Sequence, residues 1–101
     1  MRKILRSIGI GVLFAVLGGT SLAAFAYTGE ELASDARVSI EQARAIALKT
    51  AAGEITDEEL ETEEGGSGLR YTFNIKHGTV MYEVGVDART GAVLENIVEG
   101  Q

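Results

Sequence analysis

Asp57, Glu58, Glu59, Glu61, Glu63 and Glu64 place six carboxylates within eight residues, the densest group of reactive side chains in the chain. So much local negative charge would attract a divalent cation or a basic peptide. The spacing matches no calcium loop, since an Asp-x-Asp-x-Asp-Gly pattern is missing. Paired carboxylates for glycoside hydrolysis need a substrate cleft, and one helix on a small sheet offers little volume for one. Two readings of the run are left: a solvated acidic strand that keeps a small protein soluble, and a contact surface for a protein partner. The six acids are the candidate partner-binding residues.

The other residues able to do chemistry stand alone. His77 is the single histidine and lies beside Gly78, where a solvated turn residue is expected. Ser39 precedes a helix as its cap, and no second histidine exists to act as its general base, so nucleophilic catalysis is excluded. There is no cysteine, which removes thiol chemistry, thiolate metal sites and redox sensing. No catalytic residue, metal site or cofactor is expected, and the protein reads as a non-enzyme.

Charge and targeting narrow the partners. Met1, Arg2, Lys3 and Arg6 form a positive start, Ile8 to Leu17 is an uncharged apolar run, and Ala24-Phe25-Ala26 supplies a small-x-small cleavage pattern, the layout of a signal peptide covering residues 1–26. Left uncleaved, the charge-free stretch from Ile8 to Ala26 approaches the ~20 residues that cross a bilayer. Either way residues 27–101 lie outside the cytoplasm, in the periplasm or secreted. Cleavage after Ala26 removes three basic residues and no acid, so 15 acidic residues face six basic ones and the net charge falls from −6 to −9. Nucleic acid is excluded as a partner because its binding requires Lys and Arg to neutralise phosphates. A membrane is met only through the signal segment if that segment stays attached.

The elements that must position these residues follow from pattern. Residues 27–37 are polar and weakly periodic and are expected to form a partly disordered lead-in, with a short helix as the alternative. Ser39-Ile40-Glu41-Gln42 is a capping box, with the serine hydroxyl and the glutamine side chain each serving the other's amide. The helix it opens is predicted to run from Ile40 to about Ala52, with Ala43, Ile46, Ala47 and Thr50 inward, Ile40 and Leu48 widening that stripe, Arg44 in water and Gly53 as a left-handed stop. Leu69, Tyr71, Phe73 and Ile75 alternate with polar residues, as do Val80, Tyr82, Val84 and Val86, giving two strands joined by a hairpin at His77-Gly78. A type I turn over residues 87–91, with its glycine left-handed, leads to a last strand over residues 92–98. Ile55 and Leu60 have opposite parity, so a bulge or short turn near Thr56-Asp57 is required before a strand over residues 58–64 and a flexible loop over residues 63–68. One helix covering an antiparallel sheet of three to four strands is an α+β fold.

The capped helix from Ile40-Glu41-Gln42-Ala43 to Gly53, the acidic strand Glu58-Glu59-Leu60-Glu61, the strands around Tyr71-Thr72-Phe73-Asn74-Ile75 and Tyr82-Glu83-Val84-Gly85-Val86-Asp87, and the closing Asp87-Ala88-Arg89-Thr90-Gly91-Ala92-Val93-Leu94 resemble a PepSY domain over residues 38–98, with residues 99–101 as a tail. That resemblance implies a module of the kind found in propeptides of secreted metallopeptidases, in spore-germination proteins and in small stand-alone exported proteins. It implies an inhibitory or protease-regulating role, a peptidase or membrane sensor as protein partner, and no catalytic residue. A partner segment could also add to an open sheet edge. The alternative function is a ligand- or cation-sensing accessory module for an envelope membrane protein.

Overall fold

A computed structural model describes residues 26–100; the expected signal segment lies outside the described residues, apart from Ala26. The Ser39 hydroxyl accepts from the Gln42 amide at 3.1 Å while the Gln42 side chain accepts from the Ser39 amide at 2.9 Å. This reciprocal cap starts helix α1, Ile40–Thr50. Ala43 and Ala47 are fully buried, and their small side chains let the helix lie close to the sheet. Leu48, expected on the same stripe, is exposed because each helical residue turns the side chain by about 100°. The helix also stops short of Ala52. Ala51 caps it in an extended conformation, and Gly53 is no left-handed stop: at φ 152°, a Cβ added there would sit 2.4 Å from the Lys76 carbonyl oxygen. Glycine is required where the chain passes close to the sheet.

Four strands follow in a simple meander: β1 (Glu54–Thr62), β2 (Leu69–His77), β3 (Val80–Asp87) and β4 (Val93–Val98), antiparallel in that spatial order. β1 begins four residues earlier than expected. A bulge between Ile55 and Asp57 resolves the parity conflict, so that Ile55 opposes Ile75 and Leu60 opposes Tyr71 on the same face. His77 pairs with Val80, which moves the hairpin loop by one residue to Gly78-Thr79, with Gly78 at φ 64°. Leu60, Tyr71, Phe73, Ile75, Val84 and Val86 form the core beneath the helix alanines, and the Tyr71 hydroxyl donates to the Val38 carbonyl at 2.7 Å.

The lead-in is ordered rather than partly disordered, and the alternative of a short helix is the one observed. Glu30–Asp35 forms a short 3-10 helix, and Leu32, Ala33 and Ala36 pack against the core beside Tyr27. Its few apolar residues cover the part of the sheet that an eleven-residue helix leaves bare, and the Leu60 amide donates to the Thr28 carbonyl at 2.8 Å. Apolar burial and a backbone bond together order a segment whose composition looks like loop.

Asp87 explains why the loop over residues 63–68 is held rather than free. Its carboxylate is 1% exposed and accepts from the Ser67 amide (2.6 Å), the Ser67 hydroxyl (2.8 Å), the Arg89 amide (2.8 Å) and the Thr90 amide (3.0 Å). Burial alone would raise the pKa of this acid, but the Arg89, Ser67 and Thr90 donors outweigh it and bring it down to about 2. Arg89 completes the clamp by donating to the Ser67 carbonyl at 2.8 Å. The Asp-Ala-Arg-Thr-Gly turn therefore ties the β1–β2 loop to the β3–β4 connection, and Gly91, at φ 82°, takes the left-handed position expected of it.

Candidate protein-binding surface

Because α1 covers one face of the sheet, the other is a second, separate surface. Along each strand alternate residues point to it. Asp57, Glu59 and Glu61 from β1 meet Thr72 and Asn74 from β2, Glu83 from β3, and Glu99 just beyond β4, around a depression of about 210 Å³. The acids expected to act together thus divide. Asp57, Glu59 and Glu61 share this open face, and Glu63 sits at its loop end. Glu58 points to the helix side, where both its carboxylate oxygens accept from Arg44; Arg44 was expected in water and is instead held by this bidentate pair. Glu64 offers its backbone carbonyl, not its carboxylate, to Arg70 at 3.3 Å.

Glu83, Glu95 and Glu99 are the members that sequence reasoning missed. Their signal was present in the strand alternation: Glu83 shares parity with Met81 and Gly85, away from the buried Val84 and Val86. What placed them beside the β1 acids was the register, with Asn74 opposite Glu83 and Gly85 opposite Glu95.

Arg70 divides the open face into two ends. It is 8% exposed, its stem crosses the bare backbone of Gly85, and its Nη1 lies 3.3 Å from Glu63 and 3.6 Å from Glu95. Its Nε has no hydrogen-bond partner. The end nearer Arg70 is therefore partly neutralised. At the other end Asp57, Glu59, Glu61, Glu83 and Glu99 have no ion pair among the described residues. Burial, followed by the neighbouring Glu63 and Glu59, raises the Glu61 pKa from its ordinary value. Burial, then the charges of Glu95, Glu99 and Glu63, does the same for Glu83. Mutual repulsion of this kind is relieved when a cation arrives.

No three of the described His, Asp or Glu side chains converge as a metal site would need. His77 is exposed and its Nδ1 lies 3.1 Å from the Ala52 carbonyl oxygen. Beside the sheet, a groove of about 700 Å³ lined by Tyr27, Thr28, Arg44, Ile55, Asp57 and Glu58 contains the Arg44–Glu58 pair.

The sequence model of PepSY, described as "Peptidase propeptide and YPEB domain", matches residues 37–96. The chain belongs to the PepSY family. One helix on a four-stranded antiparallel sheet is the α+β architecture consistent with it. Neither curated proteins nor solved structures gave a match. PepSY domains are generally non-catalytic propeptide or regulatory modules, commonly mediate protein interactions and often occur in exported proteins. The matched segment spans the cap at Ser39, the core strands and the Asp87 clamp.

Proposed function

We propose that this PepSY protein is an exported regulatory module that binds a peptidase of its own compartment and slows it, without catalytic residues of its own. The observation that carries the reading is the open sheet face, where register gathers Asp57, Glu59, Glu61, Glu83 and Glu99 on the side that no helix covers. A crowded, partly desolvated set of carboxylates is a poor stabilising device. It is well suited to a basic protein surface, whose approach relieves the repulsion and whose encounter rate the field increases. Asp57, Glu59, Glu61 and Glu63 are the contact residues in this reading, joined by Glu83 and Glu99. Glu58 is left to the helix.

Adding the purified protein in stoichiometric amount to peptidases from the exported fraction of its own cell tests this. Slowed proteolysis by at least one of them, weakened when Glu59, Glu61 and Glu83 are changed to Gln, is the expected result. No change for any peptidase of that compartment removes the proposal. The cation-sensing alternative has less support, since the described carboxylates do not converge on a point.

A further inference from the structure

The sheet has two edges, and they differ. At β1 the chain's own lead-in blocks the middle of the outer side: Leu60 donates to Thr28 in an isolated bridge, and Gly29 lies so close that a Cβ would be 1.8 Å from the Leu60 carbonyl oxygen. At β4 nothing among the described residues pairs on the outer side. The Glu99 amide donates to the Met81 carbonyl at 2.8 Å, which makes Tyr82–Val98 a pair without mutual hydrogen bonds and Glu83–Ile97 a bonded one. Antiparallel alternation then turns the N–H and C=O groups of Asn96 and Val98 outward. Val93, Ile97 and Val98 are 44%, 48% and 36% exposed. Edge strands are commonly blunted with Lys, Pro or other charges; β4 has no Lys or Pro, and its one charge, Glu95, repels acidic segments while admitting basic ones.

We infer that β4 is the strand-addition site of this module, taking an extended segment of a partner protein in which Lys or Arg alternates with apolar residues. The inference rests on the reading that the module binds a protein. Backbone groups of Asn96 and Val98 supply the ladder. On the open face the segment's basic side chains lie beside Glu95 and Glu99, within reach of Glu83, and on the opposite face its apolar side chains cover Val98. Charge complementarity selects this occupant over a second copy of the chain, which would bring a second cluster of Glu83, Glu95 and Glu99 alongside the first.

Titrating the purified chain with an eight-residue peptide alternating Lys and Val, and following amide hydrogen exchange by NMR, tests the inference. Exchange at Asn96 and Val98 is expected to slow at least tenfold at saturation, with Leu60 unchanged and no effect from a peptide carrying Glu for Lys. Val98→Pro deletes one outward donor and no bond to β3, and Glu95→Lys removes a charge partner; each should weaken peptide binding at least fivefold. Absence of binding overturns the inference, as does protection confined to β1, binding indifferent to both variants, or protein-concentration-dependent protection without peptide, which would mean self-pairing. If the native chain slows a peptidase and Val98→Pro slows it equally, the edge fails while the regulatory reading stands. If no peptidase is slowed, that reading fails and the titration still judges the edge.

Discussion

The two faces of one four-stranded sheet solve opposite problems. On the helix side every large side chain of the core is apolar or satisfied, and the carboxylate placed there, Glu58, is paired with both arms of Arg44. On the open side the carboxylates outnumber the one buried cation among the described residues, Arg70. The same strands supply both faces residue by residue, so the difference comes from what covers them. Cover permits apolar packing and close pairing, whereas a bare face is free to carry charge that only a partner would neutralise. The Asp87 clamp shows that carboxylates differ for the same reason: four donors converge on it, while Glu61 and Glu83 meet mainly other acids.

Substitutions on the covered side should cost most. Phe73→Ala empties a fully buried site under α1 and is expected to destabilise the fold by about 3–5 kcal/mol, read from urea unfolding. Asp87→Ala strands the Ser67, Arg89 and Thr90 donors, at a cost of about 2–3 kcal/mol. Its titration gives a second readout. Because the folded-state pKa lies below the ordinary value of 3.8, its contribution is complete above about pH 4 and is lost as pH falls towards about 2. That loss, on the order of 1–2 kcal/mol after allowance for solvent screening, should be missing from the acid unfolding curve of the variant.

Gly29→Val separates lead-in from sheet. With φ at 86° and Leu60 in the way, the segment should peel from β1 at a cost of about 1–3 kcal/mol, and exchange at the Leu60 amide should rise while the β2 amides stay protected. The open face should give the smallest effect, with the opposite sign. Glu61→Gln and Glu83→Gln remove charges whose pKa values are raised in the fold, so each should stabilise at pH 7 by about 0.2–1 kcal/mol. The gain should shrink as pH falls through the folded-state pKa, where the native carboxyls become protonated and neutral too. Thermal unfolding at neutral and acid pH checks this, and a destabilised variant at pH 7 would break the contrast between faces.

Some local patterns were legible and others were not: the helix start and the inward faces of the middle strands were, while the helix end, the Leu48 side and the hairpin position were not. Ser39 and Gln42 announce the helix start because both partners of the cap lie within one turn. Alternation in β2 and β3 fixes which residues face inward because the strand period is two, and the parity of Ile55 and Leu60 demands the observed bulge. The acids from Asp57 onward were visible as a run, but a run along a strand is split by that same alternation, which sends Glu58 to Arg44 and its neighbours to the open face. Long-range facts needed the fold. Gly53 looked like a helix stop, and only the nearby Lys76 carbonyl reveals its role. The lead-in looked like loop because its apolar residues are few, and only a gap beside α1 of matching size makes their burial favourable. The capped start of α1, the inward faces of β2 and β3 and the bulge in β1 could be read from residues a few positions apart, and the net charge from composition alone. Tertiary structure decided which carboxylates meet, which of them is paired, and which sheet edge is bare, since each depends on register and cover between segments distant in the chain.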